Sequence, residues 1–172
     1  MSKTIYIGID VGKNGGICML IPRDGTPFYE AVTHKCPSTP RDMATIFHYP
    51  PLVESIMDYN AMCLIEKVHS MPKQGVKSMF TFGENYGIWQ GILATVKVPY
   101  DLVPPQRWMK HYGSMPKDKK ERKHYIKALA QRLYPDANVT LYTADAILIA
   151  HYLMQHHDKE IPAIDVDSMP SA

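Results

Sequence analysis

Three carboxylic acids in this chain stand where their chemistry could be shared. Asp10 follows the alternating stretch Thr4–Ile9, and Glu66 follows the apolar run Ala61–Ile65. Asp145 lies near the start of an otherwise apolar segment. A carboxylate is costly to bury among apolar residues unless it has a partner, and a metal ion supplies one. Oxygen ligands of this kind suit Mg²⁺ or Mn²⁺, and two such ions can activate a water for attack on a phosphate.

The segments before Asp10 and Glu66 are both typical of strands. In Thr4–Ile9 every second residue is an isoleucine, which predicts a strand with Asp10 at its C-terminal end, on the face opposite the isoleucines. The continuous apolar run Ala61–Ile65 is typical of a buried strand. If these two strands are parallel neighbours, Asp10 and Glu66 project from one edge of the sheet, where ligands bind in open α/β folds.

The order of the other predicted elements indicates a mixed α/β fold with one central sheet and helices around it. Further strands are predicted at Ile17–Ile21, Phe28–Thr33 and Pro99–Val103. Helices are predicted at Arg41–His48, Leu52–Tyr59, Met79–Val96, Pro105–Tyr112, Lys117–Tyr134 and Ala144–His156, and a loop at Lys67–Lys77. These elements predict one domain over residues 1–157, followed by a loosely held tail over 158–172.

Length and composition exclude several classes of protein. At 172 residues with 45% hydrophobic content, a single soluble domain is expected. There is no apolar run of about 18 residues and no signal-peptide organisation at the N-terminus, so the bacterial cytosol is the expected location. The three cysteines, Cys18, Cys36 and Cys63, lack zinc-ligand spacing and are expected to be free thiols.

The positive charge of the chain is concentrated in one block. Between Pro105 and Pro135 there are nine Lys or Arg and two acidic residues, a formal charge of +7. The rest of the chain is therefore at −5, since the total is +2. Such a block indicates a polyanion partner, although a solvated helix face is the alternative.

Four segments carry a resemblance to a known family. IGIDVGKNGGI around Asp10, LIEKVH around Glu66 and TADAILIAHYL around Asp145 resemble the acidic motifs of RuvC-type Holliday-junction resolvases. HSMPKQGVKSMFTFGENYGIWQGIL is similar to the phage and prophage branch of that group. The resemblance implies an RNase H-like fold with a five-stranded mixed central sheet. It also implies a homodimer that nicks four-way DNA junctions symmetrically, with Asp10, Glu66 and Asp145 holding Mg²⁺, two ions per site, or Mn²⁺ in its place.

The resemblance also implies roles for basic and aromatic residues. Lys119 and Lys120 are expected near the scissile phosphate, where a positive charge would stabilise developing negative charge. Contacts to DNA, phosphate contacts above all, are expected from Lys67, His69, Lys73, Lys77, Arg107, Lys110, Lys117, Arg122 and Lys123. His69 could also stack on a base. A dimer interface is expected at Phe80, Phe82, Gly83 and Gly87, although an ordinary core is the alternative for the two phenylalanines.

One position departs from the family pattern. Resolvases of this family commonly carry an acid or a His one turn before the last Asp, and here that position is Tyr142. Four residues could replace the missing ligand, namely Asp136, His151, Asp165 and Asp167. Water is the other alternative, because Mg²⁺ tends to keep several waters.

Three competing functions remain open on the sequence. DVGKNGG also resembles the phosphate-binding turn of sugar kinases and actin-like ATPases, but those proteins need two such domains and this chain is too short for both. An RNase H-like nuclease acting on RNA would share the carboxylates. A non-catalytic protein that binds branched DNA would explain the missing acid at Tyr142.

Overall fold

The computed structural model describes residues 4–47, 60–67 and 75–160, with side chains as far as residue 157. The described residues form five strands and five helices. The strands are β1 Thr4–Ile9, β2 Gly16–Pro22, β3 Tyr29–Lys35, β4 Asn60–Glu66 and β5 Tyr100–Val103. The helices are α1 Pro40–Ile46, α2 Val76–Thr95, α3 Pro105–His111, α4 Lys119–Leu133 and α5 Ala144–Glu160. The predicted helix Leu52–Tyr59 and the candidate residues His69, Lys73, Asp165 and Asp167 lie outside these ranges.

The five strands form one mixed sheet in the order β3-β2-β1-β4-β5. The first three strands are joined antiparallel by hairpins, whereas β1 pairs with β4, and β4 with β5, in parallel. Ile9 lies opposite Ile65 in this register. Because the two strands run in the same direction, Asp10 and Glu66 follow at equivalent positions. The predicted α/β fold with a five-stranded mixed sheet is confirmed.

The alternation of side chains divides the core into two layers. Ile5, Ile7 and Ile9 of β1 pack on the face covered by α1 and α2. Tyr6 of β1 and Leu64 of β4 pack on the other face, against α3, α4 and α5. Since successive side chains of a strand point to opposite faces, Asp10 and Glu66 belong to the layer of α5.

Two glycines allow α5 and the turn before it to lie directly against the sheet. A Cβ atom on Gly8 of β1 would lie 2.2 Å from the carbonyl oxygen of Ala146. A Cβ atom on Gly16 of β2 would lie 2.8 Å from the carbonyl oxygen of Tyr142. Both distances are too short for a real side chain, so glycine is required for this approach. The first turn of α5, which carries Asp145, is thereby brought beside the end of β1.

Some element ends differ from the prediction. Helix α2 begins at Val76, earlier than the predicted Met79, so the last two residues of the predicted loop Lys67–Lys77 are helical. Helix α4 begins at Lys119 because Asp118 caps it, accepting the backbone N–H groups of Lys120 and Glu121. Helix α5 continues to Glu160, into the segment predicted as a tail. Across the described residues, no helix is long and apolar enough to cross a bilayer.

Candidate active site

The structure brings Asp10, Glu66 and Asp145 to one cavity of about 170 Å³. The cavity opens at the carboxyl ends of β1 and β4, and α4 and α5 close its sides. The remaining lining residues are Pro105, Met109, Lys119, Arg122, Lys123 and Ile126. Three acids from three separate elements therefore share one small space at the sheet edge.

The turn after β1 fixes the orientation of Asp10. The Gly12 N–H donates to Asp10 Oδ1 at 3.2 Å, and the Asp10 N–H donates to the carbonyl oxygen of Gly16 at 3.0 Å. Gly15 lies so close that a Cβ atom there would be 2.2 Å from the Asp10 carbonyl oxygen. The glycines of this turn thus hold the carboxylate against the cavity.

Glu66 is held by a tryptophan of α3, the helix that follows the neighbouring parallel strand β5. Strand β5 ends at Val103, opposite Glu66, and Pro104 and Pro105 turn the chain into α3. Trp108 of this helix is fully buried, and its Nε1 donates to Glu66 Oε1 at 2.9 Å. Because the indole is packed in the core, it fixes one oxygen of Glu66 in place.

Asp145 forms an ion pair with a lysine of α4. Lys123 Nζ lies 2.5 Å from Asp145 Oδ2, and the side chains are 36% and 6% exposed. Asp145 also lies in the first turn of α5, where the helix dipole favours a negative charge. A buried carboxylate thus has a cation as its partner even without a metal ion.

Burial in this cavity disfavours the negative charge of the carboxylates that line it. Burial, and next the charge of Asp145, raise the pKa of Asp10 to about 6, against the lowering effect of Lys123. Burial, and next the charge of Asp10, raise the pKa of Glu66 to about 8, despite the hydrogen bond from Trp108. Raised pKa values of neighbouring carboxylates in a cleft indicate a functional site, and a bound cation would offset the repulsion.

The donor set fits a hard divalent cation. Asp10, Glu66 and Asp145 supply carboxylate oxygens, which Mg²⁺ and Mn²⁺ prefer. Across the described ranges, no three His, Cys, Asp or Glu side chains are already gathered closely enough to enclose an ion. Asp145 is instead in contact with the Lys123 ammonium.

The alternatives for a fourth ligand lie away from the cavity. Tyr142 is 40% exposed, and Lys35 Nζ lies 4.2 Å above its ring. Asp136 faces Arg23 at 3.8 Å, and His151 shares a hydrogen bond with Tyr134 at 2.8 Å. Within the described part of the chain, therefore, none of the candidates that the sequence offered completes the set of three.

The basic residues at the cavity differ in part from those expected. Lys119 lines it, but Lys120 does not, and Arg122 and Lys123 take the remaining places. On a helix, residues three and four apart share a face, whereas adjacent residues do not. Lys120 therefore does not line this cavity, and its role near the scissile phosphate stays a prediction, whereas Lys123, expected among the DNA contacts, lies beside the carboxylates.

The other basic candidates lie outside this cavity. Lys67, Lys77, Lys110 and Lys117 are exposed. Arg107 lines a separate cavity of about 60 Å³, together with Asp101 and His156. No contact to a phosphate is shown by these positions, and their DNA-binding roles stay predictions.

Helix α2 exposes part of the expected dimer surface. Phe80 is 74% exposed, and nothing lies within 4 Å of a Cβ atom built on Gly83 or Gly87. Phe82 is half-buried and packs against the core layer beneath the helix. Phe82 therefore packs in the core, which was the alternative to a dimer contact, whereas Phe80 is exposed and available to a partner.

Of the comparisons with known proteins, the one with solved structures bears on the fold. No protein-family model matches this sequence, and no curated protein matches it. Among solved structures, Thermus thermophilus RuvC has a TM-score of 0.56 at 15% identity, over 90% of this chain and 95% of that one. T. thermophilus RuvC in complex with a Holliday-junction substrate gives 0.56 at 13% identity, over the same shares. The chain therefore has a RuvC-like, RNase H-like fold.

Proposed function

We propose that this chain is a metal-dependent endonuclease that resolves four-way DNA junctions by symmetric nicks. The observation that carries the proposal is the convergence of Asp10, Glu66 and Asp145 on one cavity that also holds Lys119, Arg122 and Lys123. Acidic groups can bind a metal there, and basic groups can bind a phosphate. The RuvC-like fold supports the choice of DNA junctions, because one of the similar RuvC structures is a complex with a Holliday-junction substrate.

Asp10, Glu66 and Asp145 would hold the metal, which we propose to be Mg²⁺, two ions per site, with Mn²⁺ as a substitute. Bound ions of this type lower the pKa of a water and neutralise charge on the leaving oxygen. The fold keeps Glu66 and Asp10 oriented through Trp108 and Gly12, so this part of the site needs little rearrangement.

The basic side chains of α4 would position the phosphate. Lys119 and Arg122 line the cavity and lie one turn apart on α4. Arg122 is itself held by hydrogen bonds from Nη1 to the carbonyl oxygens of Pro116 and Lys117, at 3.2 and 3.0 Å. Cations at fixed places next to the reacting group can stabilise the negative charge that develops on it.

A homodimer would place two such cavities across one junction. Val76 and Phe80, one turn apart at the start of α2, are 84% and 74% exposed, and Met79 beside them is 37% exposed. Large apolar residues grouped in this way favour a protein contact. Gly83 continues the surface and leaves room for a second helix to approach closely.

The proposal is tested with a synthetic four-way junction, Mg²⁺ and three variants. Wild type should produce paired nicks, whereas Asp10→Asn and Asp145→Asn should bind the junction and leave it intact. Asp136→Asn is the matched control, since this side chain is 82% exposed and remote from the cavity. The catalytic proposal fails if wild type binds but does not cut in Mg²⁺ or Mn²⁺. The site assignment fails if the two cavity variants cut like the control.

One observation favours a second candidate, a branched-DNA-binding protein without catalysis. Lys123 holds Asp145 in an ion pair, and none of the described residues supplies a fourth acidic ligand. This candidate predicts tight junction binding, no nicks in either metal and no metal-dependent stabilisation. An RNA–DNA hybrid and a structured RNA in the same assay separate both candidates from a nuclease that acts on RNA.

A further inference from the structure

Each of the three cavity carboxylates has one oxygen engaged by a donor of the protein. The donors are a backbone amide, an indole and an ammonium group, from three different segments. The contacts are Gly12 N–H to Asp10 Oδ1 at 3.2 Å, Trp108 Nε1 to Glu66 Oε1 at 2.9 Å, and Lys123 Nζ to Asp145 Oδ2 at 2.5 Å. One oxygen per carboxylate is therefore committed before any metal binds.

The second oxygen of each carboxylate remains open to the cavity. Within the described ranges, no donor reaches Asp10 Oδ2, Glu66 Oε2 or Asp145 Oδ1. Among the described residues, these three oxygens do not belong to the fully buried side-chain polar atoms that lack a partner, a set that holds Trp89 Nε1. Each of the three oxygens is therefore accessible rather than enclosed in the core. Each carboxylate thus has one oxygen that no donor of the described residues engages.

The indole of Trp108 is held rigidly. Its side chain is fully buried, and the ring of Tyr112 meets it edge-to-face at 6.4 Å between centroids. Tyr112 is anchored in turn, since its hydroxyl donates to the carbonyl oxygen of Leu148 on α5 at 2.6 Å. The N–H of Trp108 therefore cannot move away from Glu66 without disturbing the contact between α3 and α5.

We propose that Trp108 is a positioning residue that makes Glu66 a one-oxygen ligand and so selects Mg²⁺ and Mn²⁺ over Ca²⁺. The proposal rests on the proposed function, in which these carboxylates bind a metal. Mg²⁺ is octahedral and is satisfied by single carboxylate oxygens together with waters. Ca²⁺ takes six to eight oxygens and often binds both oxygens of a carboxylate. The hydrogen bond to Oε1 makes this oxygen a weaker second ligand for Ca²⁺, whereas Mg²⁺ needs only Oε2.

The test compares Ca²⁺ and Mg²⁺ affinities by calorimetry in Trp108→Phe and Trp89→Phe. Trp89 is a matched control, because it is equally buried but its N–H donates to none of the three cavity carboxylates. The Trp108 variant should raise the Ca²⁺ affinity relative to Mg²⁺ by roughly tenfold, the size expected for losing one hydrogen bond to a charged group. The control should keep the wild-type ratio. An unchanged ratio in Trp108→Phe would overturn the proposal, since a purely structural role weakens both ions alike.

Two further measurements keep the test decisive. If Trp108→Phe does not fold, replacing Trp108 by benzothienylalanine removes the N–H and keeps the ring shape, and the same change in ratio is expected. The chain has two tryptophans, so its indole N–H signals can be followed separately by NMR. The Trp108 signal should move on saturation with Mg²⁺ and in Glu66→Gln, and a signal that stays fixed in both contradicts the proposal.

The outcomes distinguish this proposal from the proposed function. If wild type binds Mg²⁺ and cuts junctions but the Ca²⁺ to Mg²⁺ ratio does not depend on Trp108, the nuclease stands and the selectivity role fails. If wild type binds neither ion, the metal-dependent function fails, and the selectivity role fails with it.

Discussion

Replacing Asp10 by asparagine is expected to stabilise the metal-free protein, although it should abolish cutting. Asp10 lies in a cavity where burial and then the charge of Asp145 raise its pKa from 3.8 to about 6. Asparagine keeps the Oδ1 acceptor for the Gly12 N–H and removes the charge. The folded state loses an unfavourable buried charge, whereas the unfolded chain, in which residue 10 is hydrated, changes little.

The size of the effect follows from the pKa of Asp10. Since one pKa unit is worth about 1.4 kcal/mol, a rise from 3.8 to about 6 corresponds to about 3 kcal/mol of lost stability. The folded state binds this proton more tightly than the unfolded chain does. Wild type therefore loses stability as the pH rises from about 4 to about 6, and the loss remains at higher pH. Glu66, with a pKa of about 8, extends the same trend to about pH 8.

The assay is urea denaturation of both proteins in EDTA at several pH values between 4 and 8. Near pH 4 the variant and wild type should be equally stable, and the variant should gain as the pH rises. At pH 8 the gain of about 3 kcal/mol corresponds to about 6–12 °C in Tm for a chain of this size. Taking the difference from wild type cancels other groups, such as His151, whose pKa burial lowers to about 4.

The control for this prediction is Asp136→Asn. Its carboxylate is 82% exposed and lies 3.8 Å from Arg23, so little stability should change at any pH. The reasoning about Asp10 is refuted if Asp10→Asn is no more stable than wild type at pH 8. It is also refuted if the gain is independent of pH, because the cause would then not be the buried charge.

Three further predictions use the same fold. Lys123→Met leaves Asp145, 6% exposed, without its cation, so the metal-free protein should lose about 3 kcal/mol, and Mg²⁺ should raise its Tm more than it raises that of wild type. Gly8→Ala should prevent stable folding, because a Cβ atom there would collide with Ala146 of α5. Gly83→Ala, whose Cβ atom lies in open space on α2, should raise the free energy of unfolding by about 0.5–1 kcal/mol in a denaturation experiment. Phe80→Asp should convert a dimer to folded monomers in sedimentation; an unchanged sedimentation coefficient rejects the α2 interface.

The strands could be predicted because their pattern is local. In β1 the isoleucines alternate without interruption, and the predicted bounds Thr4–Ile9 agree with the structure. Parallel pairing of β1 and β4 then places Asp10 beside Glu66, as expected from their strand-end positions. Helix ends were harder to predict, because α4 begins after Asp118, whose side chain caps it, rather than at the predicted Lys117.

The partners of the carboxylates could not be predicted, because they are distant in sequence. Trp108 is 42 residues from Glu66, and Lys123 is 22 residues from Asp145. No spacing rule links such pairs before the layers of the fold are known. A partial signal existed for Lys123, which follows Lys119 by four residues and therefore shares its helix face. Lys120, which is adjacent to Lys119, does not share that face.

The three carboxylates are prepared for a cation to different degrees. Asp10 and Glu66 are each oriented by an uncharged donor, a backbone amide and an indole, which a metal ion need not displace. Asp145 is paired with Lys123, whose side chain is 36% exposed and can return to water. A divalent cation at this cavity therefore competes with the protein at Asp145 and gains from relieved repulsion at the other two. Lys123 therefore stabilises the metal-free fold and opposes metal binding at Asp145, which makes its removal a direct probe of the site's charge balance.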